Sequence, residues 1–402
     1  MGANYCINGG AMSERIFNKN FIRIFITTVL VMTGNQIIMV VLPLYLDNLG
    51  KNPSVLGIAT SLSALAAMIM RPFGGILADR WSKKMVLILG AFIMILGMIG
   101  INVIPVTFAI IAMRLIQGFG ISGATTAQMA IAADVLPKSK LKSGMSYFGI
   151  ASVLAAAIGP IIGIELIYGD NYTWSWMGAI LIFGLAIFFV STISYEVVEE
   201  SPLLIGKKNY EGSIFWKFYE KKAFLPSLVQ LIIMTGNAVI VFLPSYGRSI
   251  GVENVGWFYT IQALTMFVAN IFVGKIIDRI KNPLSLLIPG LCVFSSALFL
   301  LFLADSSLIF FLAAVLYGTG FGINIATMNV LIMSFAPYDR RGAASSTFFS
   351  SIDLGFSIGS ILGGIIIGTF TYKTFYGISV LFPIAAIFLS LIVFRNIRLD
   401  QE

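Results

Sequence analysis

Long apolar runs dominate the chain, and charged residues, Pro and Gly gather in the short gaps between them. A helix needs about 20 apolar residues to cross the hydrocarbon core of a bilayer. Twelve runs of that kind are predicted, at 21–45, 55–78, 85–104, 107–130, 143–168, 174–195, 223–246, 254–277, 285–303, 307–333, 342–369 and 375–394. Numbered in chain order, these are spans 1–12. Spans 3 and 4 are separated only by Asn102, Pro105 and Thr107. The longest gap, 196–222, holds five Glu and five Lys. It reads either as a plain linker or as an amphipathic piece (Ile214, Phe215, Trp216, Phe218, Tyr219) lying at the membrane surface.

The punctuation between runs repeats. Span 1 carries Met32-Thr33-Gly34-Asn35 and then Leu42-Pro43-Leu44-Tyr45; span 7 carries Met234-Thr235-Gly236-Asn237 and then Leu243-Pro244-Ser245-Tyr246. Gly75-x-x-x-Asp79-Arg80 follows span 2, and Gly274-x-x-x-Asp278-Arg279 follows span 8. Gly118-x-Gly120 in span 4 matches Gly318-x-Gly320 in span 10, and Gly159 and Gly163 in span 5 match Gly359 and Gly363 in span 11. The pattern predicts an all-α membrane protein of twelve transmembrane helices in two pseudo-symmetric six-helix halves. The divisions are a tail at 1–20, a bundle at 21–195, a linker at 196–222, a second bundle at 223–394 and a tail at 395–402. Two structural repeats around a central site are the architecture of an alternating-access transporter.

Composition agrees. Of 402 residues, 58% are hydrophobic and 11% charged, against about 25% charged in soluble domains. Soluble enzyme folds are excluded, and the loops leave no room for a large extramembrane domain. The net charge is +8, from 26 Lys+Arg and 18 Asp+Glu. With both tails inside, the inner segments hold 21 of these basic residues, and the outer loops hold only Lys51, Arg248 and Lys373. That bias predicts cytoplasmic termini in a cell (plasma or inner) membrane, and the excess charge faces anionic lipid rather than nucleic acid. There is no His, and Cys6 and Cys292 form no CxxC, so no metal site is expected. Residues 1–20 read as no cleavable signal, and Met12-Ser13-Glu14 reads as an alternative start that would make 1–11 dispensable.

Over residues 13–398 the sequence resembles the major facilitator superfamily. Gly75-Ile76-Leu77-Ala78-Asp79-Arg80-Trp81-Ser82-Lys83-Lys84 is similar to the family's signature loop between helices 2 and 3, with Ser82 replacing its second Gly. The resemblance implies a gating loop in which Asp79 meets the N-terminus of span 11, where free N–H groups favour an anion. Asp278 and Arg279 are its counterpart in the second half. Arg114-x-x-Gln117-Gly118-x-Gly120 resembles the helix 4 motif of the drug/metabolite:proton antiporter branch. It implies a role for Arg114 in proton coupling or substrate binding. Ala155-x-x-x-Gly159-Pro160-x-x-Gly163 resembles the antiporter motif of helix 5, with Ala155 and Ile164 in two Gly positions. Gly159, Gly163, Gly359 and Gly363 are expected to serve helix packing and Pro160 to bend span 5.

The residues themselves add candidates. Arg114, Gln117, Thr125 and Gln128 fall within an arc of about 80° on one helix, and an intramembrane arginine is too costly to face lipid. Asp353 lies ~16 Å into span 11 at 1.5 Å per residue, on one face with Ser346, Ser350, Ser357 and Ser360. An acid at that depth is a functional-site candidate by default. Asp353 is expected to carry the proton, with Arg114 approaching it to tune its proton affinity. Asn35, Gln36, Asn237, Tyr317 and Asn324 are expected to line the substrate cavity beside Gln117, Thr125 and Gln128, because family helices 1, 4, 7 and 10 do so. Arg71, in the inner third of span 2, is expected to snorkel to the surface.

These features predict a secondary active transporter, not an enzyme, that exports a small amphipathic molecule or drug against protons. The proton gradient is its driving force, and no cofactor is expected. Its partners are the small-molecule substrate, protons and the lipid bilayer, and a monomer is expected. Uptake or efflux of a polar metabolite such as a sugar or amino acid is the alternative, since span 1 lacks an acid. A membrane sensor is disfavoured by the lack of a soluble domain, and an ATP-driven pump by the lack of a G-x-x-x-x-G-K-[ST] loop.

Overall fold

A computed structural model describes residues 16–80, 82–137, 140–194, 218–277, 282, 284–337 and 340–397. Twelve helices in it are long and apolar enough to cross a membrane. Spans 1–6 are Lys19–Asn48, Pro53–Arg80, Lys83–Val103, Thr107–Asp134, Leu141–Glu165 and Thr173–Ser191. Spans 8–11 are Gly256–Ile276, Leu284–Leu303, Ser307–Phe335 and Arg341–Thr369. Spans 3 and 4 part at 104–106, where Pro105 has no N–H to continue the helical ladder.

Spans 7 and 12 are broken where the sequence predicts continuous helices. Span 7 runs as Lys221–Asn237, a 3-10 turn Ala238–Val241 and a short helix Leu243–Ser249. Span 12 runs as Tyr372–Ser379 and Leu381–Ile397. Pro244 and Pro383 remove the N–H groups that would bond back across these breaks. Gly236, just before the first break, lies against Phe382 and Pro383, just after the second.

Packing repeats between the halves. Span 4 packs on spans 2 and 3, and span 10 on spans 8 and 9; span 1 packs on spans 5 and 6, and span 7 on spans 11 and 12. The halves meet along two seams, span 2 with span 11 and span 5 with span 8. The repeated Leu-Pro-x-Tyr motif has a common use. The Tyr45 hydroxyl donates to the Ile101 carbonyl of span 3 (3.4 Å), and the Tyr246 hydroxyl to the Leu301 carbonyl of span 9 (2.8 Å). Exposed large apolar side chains such as Phe92, Leu181, Phe188, Phe299 and Phe388 stand on spans 3, 6, 9 and 12, which suits a surface solvated by lipid.

The repeated glycines sit where helices cross closely. A Cβ on Gly159 would lie 3.0 Å from the Thr33 carbonyl of span 1 and 2.7 Å from Gln36. One on Gly359 would overlap the Thr235 carbonyl of span 7. Gly163 faces Ile37 and Val41, and Gly363 faces Phe242 and Phe375. Pro160 stays inside span 5. Overpacking costs about 1–3 kcal/mol. Gly359→Val should therefore lower the thermal stability of the detergent-purified protein by that order, and an unchanged unfolding temperature would contradict so close a crossing.

Candidate functional site

The seam between spans 2 and 11 can be followed from one end of the molecule past its middle. At the end away from the chain termini, Gly368 approaches Asn52 and Ser54, and Gly364 approaches Ser54 and Gly57. Ser54 Oγ donates to the Gly364 carbonyl at 3.1 Å. Next, Ser61 Oγ and Ser357 Oγ lie 2.5 Å apart. Further toward the terminal end stands an ion pair. Arg71 Nε bonds Asp353 Oδ2, and Nη2 donates to Oδ1 at 3.0 Å. The guanidinium carbon lies 4.9 Å from the centre of the Phe349 ring, one turn away on span 11.

The second seam is its pseudo-symmetric copy in neutral form. The repeat that aligns Gly75 with Gly274 and Gly159 with Gly359 aligns Ser61 with Thr260 and Ser357 with Ala157. Thr260 Oγ1 donates to the Ala157 carbonyl at 2.6 Å. By the same alignment Arg71 corresponds to Asn270, and Asp353 to the apolar Val153. Asn270 keeps a buried side-chain oxygen with no hydrogen-bond partner. The charge pair therefore belongs to one seam only.

These positions correct two expectations. Arg71 does not snorkel: its guanidinium reaches across the seam, because an ionised partner at the same depth is a better counterpart than a distant surface. Arg114 is not the partner of Asp353. It is buried in span 4, with Nη1 donating to Gln117 Oε1 at 2.9 Å and Nε unpartnered. The pairing with Arg71 was legible in outline. Both charges lie at similar depth from the terminal end, and the family resemblance already brings spans 2 and 11 together.

Several polar residues expected at a cavity lie between helices of one half. Gln117 fits against Gly97, and its Nε2 donates to the Met94 carbonyl of span 3 (3.4 Å). Asn324 fits against Gly290 of span 9. In both cases a glycine opens room for an amide on the side away from the seams. Tyr317 is buried, with its hydroxyl 2.7 Å from Asn237 Oδ1, joining spans 10 and 7. Thr125 Oγ1 donates to the Ser122 carbonyl (3.0 Å), within its own helix. Gln128 is buried with Nε2 unpartnered. Asn35 and Gln36 remain half-buried on span 1. The serine face of span 11 divides: Ser357 meets span 2, Ser350 approaches the Tyr219 hydroxyl (3.4 Å), and Ser360 donates to the Phe356 carbonyl (2.7 Å).

Of the gating-loop residues, Lys83 and Lys84 bind within their own half. Lys83 Nζ pairs with Asp134 Oδ2 at 2.6 Å, at the end of span 4. Lys84 Nζ donates to the Ser191 and Ile193 carbonyls at the end of span 6, where free carbonyls favour a cation. Gly75, Asp79 and Arg80 fall in the last turns of span 2, and their side chains lie outside the described residues. Asp278, Arg279 and most of the 196–222 linker also lie outside them. Among the described residues no cluster of three metal-ligating side chains occurs.

Two six-span bundles, repeated in contact pattern and joined along two equivalent seams, define a secondary transporter that moves its halves against each other. The sequence profile of the Major Facilitator Superfamily matches residues 24–357 and again 227–401, so the chain belongs to that family. It is 26% identical to a staphylopine export protein of Staphylococcus aureus, over 89% of this chain and 91% of that one. It is 27% identical to the multi-drug resistance efflux pump PmrA of Streptococcus pneumoniae, over 92% and 95%. Among solved structures, the nucleoside transporter NupG aligns with TM-score 0.72 at 16% identity, over 94% of this chain and 99% of that one. A D-xylose-proton symporter aligns with TM-score 0.73 at 14% identity, over 92% and 96%. These two share the fold.

The seam geometry is open to a direct check. With Cys6 and Cys292 replaced by Ser, Ser61→Cys and Ser357→Cys together should form a disulfide under mild oxidation. After a protease site inserted in the 196–222 linker is cut, the halves should then stay joined on a non-reducing gel. Halves that separate would show that the two positions do not meet.

Proposed function

We propose that this transporter exports a small amphipathic molecule across the cell membrane in exchange for protons, with Asp353 as the proton-carrying acid. The observation that carries this reading is Asp353 itself: a carboxylate deep in span 11, at the seam that must move, with its side chain 12% exposed. It is sheltered from bulk water yet reachable by a proton. The efflux pumps among the relatives and the Arg114-x-x-Gln117-Gly118-x-Gly120 motif support the outward direction. The proton gradient supplies the driving force without a cofactor, and one chain holds both halves, so a monomer suffices.

Transport in proteoliposomes tests it. One pH unit corresponds to about 1.4 kcal/mol, so one-for-one exchange should concentrate substrate up to ~10-fold against the proton flow. The screen covers drugs, sugars and amino acids. Asp353→Asn should lose this pH-driven accumulation yet keep exchange of substrate between the two sides, since exchange moves no net proton. Wild-type accumulation by Asp353→Asn would refute the assignment.

Both tails are placed in the cytoplasm on the 21-to-3 basic bias. Single cysteines at Asn52, Asn171, Ser306 and Lys373 should react with a membrane-impermeant reagent from outside, and cysteines at Lys83 and Lys140 should not. The reverse pattern would invert the topology.

A further inference from the structure

We propose that Arg71 is a second coupling residue: it positions Asp353 by clamping it across the seam, so that a proton on Asp353 and closure of the seam exclude each other. This rests on the proton reading above and assigns it a moving part.

Both hydrogen bonds of the Arg71 guanidinium and its ring contact go to span 11, that is, to the opposite half. A forked pair to a carboxylate fixes direction as well as distance, and an aromatic face adds a second hold on the cation. Two further ion pairs, Lys83–Asp134 and Arg340–Glu220, each stay within one half. Among the described residues, Arg71 is the charged group bonded to Asp353. Span 7 meets the neighbouring Gly355 with apolar Leu231 and Met234. Toward the terminal end stand Tyr219, beside Ser350, and the paired Glu220 and Arg340. Neither side chain is fully enclosed, at 22% and 12% exposed.

Beyond the pair, the seam toward the far end is made of glycine and serine contacts that carry no charge. Protonation of Asp353 removes the charge to which Arg71 is bonded, and a guanidinium without a counter-charge in that setting seeks water. The seam then parts at its terminal-end portion, which admits water to Arg71. Loss of the proton on that side restores the carboxylate, and the clamp re-forms and closes that side behind bound substrate. The inward step of the proton and the outward step of the substrate thereby depend on one carboxylate. At the matching positions the second seam carries Asn270 and Val153, neither of which titrates.

The test reads the seam itself. In full-length protein in nanodiscs, with Cys6 and Cys292 replaced by Ser, spin labels at Phe73→Cys and Ser345→Cys report the span 2 to span 11 distance by pulsed electron resonance. From mildly alkaline to mildly acidic pH, the otherwise unmodified protein should shift from a short to a long distance. Asp353→Asn and Arg71→Gln should each favour the long distance at every pH, with the short one still visited often enough for substrate exchange. Arg71→Lys, which keeps the charge, should restore a pH response and guards against a misfolded Gln variant. A wild-type pH response in Arg71→Gln, or none in the parent protein, would overturn the clamp. Failure of pH-driven transport alongside an intact, Arg71-dependent distance response would instead sink only the coupling to transport.

Discussion

A guanidinium on span 2 and a carboxylate on span 11 meet across the boundary between the two halves. Neither group can face hydrocarbon alone at that depth without a cost of several kcal/mol. Each half therefore carries a charge that the other half must neutralise. This fixes which helices meet, in which register, and at what level. The serine pair and the glycine crossings toward the far end follow the same register. Charge pairing of this kind adds little net stability when desolvation is counted, but losing one partner is costly. Such a contact suits a device that must hold firmly in one state and release when its charge is cancelled.

Pseudo-symmetry makes the asymmetry of this contact informative. The halves share helix order, the Leu-Pro-x-Tyr motif with its bonds to spans 3 and 9, and a matched hydroxyl contact on each seam. Against that common plan, the ion pair stands on one seam, and Asn270 and Val153 occupy the matching places on the other. The bulk of the molecule is a scaffold built twice, and at these matched positions the charged pair stands in one copy only.

Much of the fold was legible in the sequence because a bilayer leaves few options. Each span must satisfy its own backbone bonds and stay apolar for its whole length, so the charged gaps mark most boundaries plainly, while the split between spans 3 and 4 rests on Asn102, Pro105 and Thr107 alone. The repeated glycines announced close crossings for the same reason. The site was less legible. Helical arcs place Gln117 and Asn324 on a face but do not say which neighbour that face meets; Gly97 and Gly290 decided it. Arg71 was expected to snorkel because its depth in span 2 was weighed without the matching depth of Asp353 on span 11, the helix that the family resemblance sets beside it. The break in span 7 was hidden too. Leu-Pro lies in an unbroken helix in span 1 and beside a 3-10 turn in span 7, so tertiary packing around Gly236 and span 12 separates them.

The most direct measurement is a charge reversal across the seam, read as the separation of spans 2 and 11 at neutral pH. Arg71→Asp sets two carboxylates against each other, and Asp353→Arg sets two guanidinium groups against each other, so each alone should drive the spans apart. Combined, they recreate an ion pair with its ends exchanged, and the short separation should return. A double variant as open as either single one would mean that the halves are held by the glycine and serine contacts alone, and that the ion pair does not set the seam.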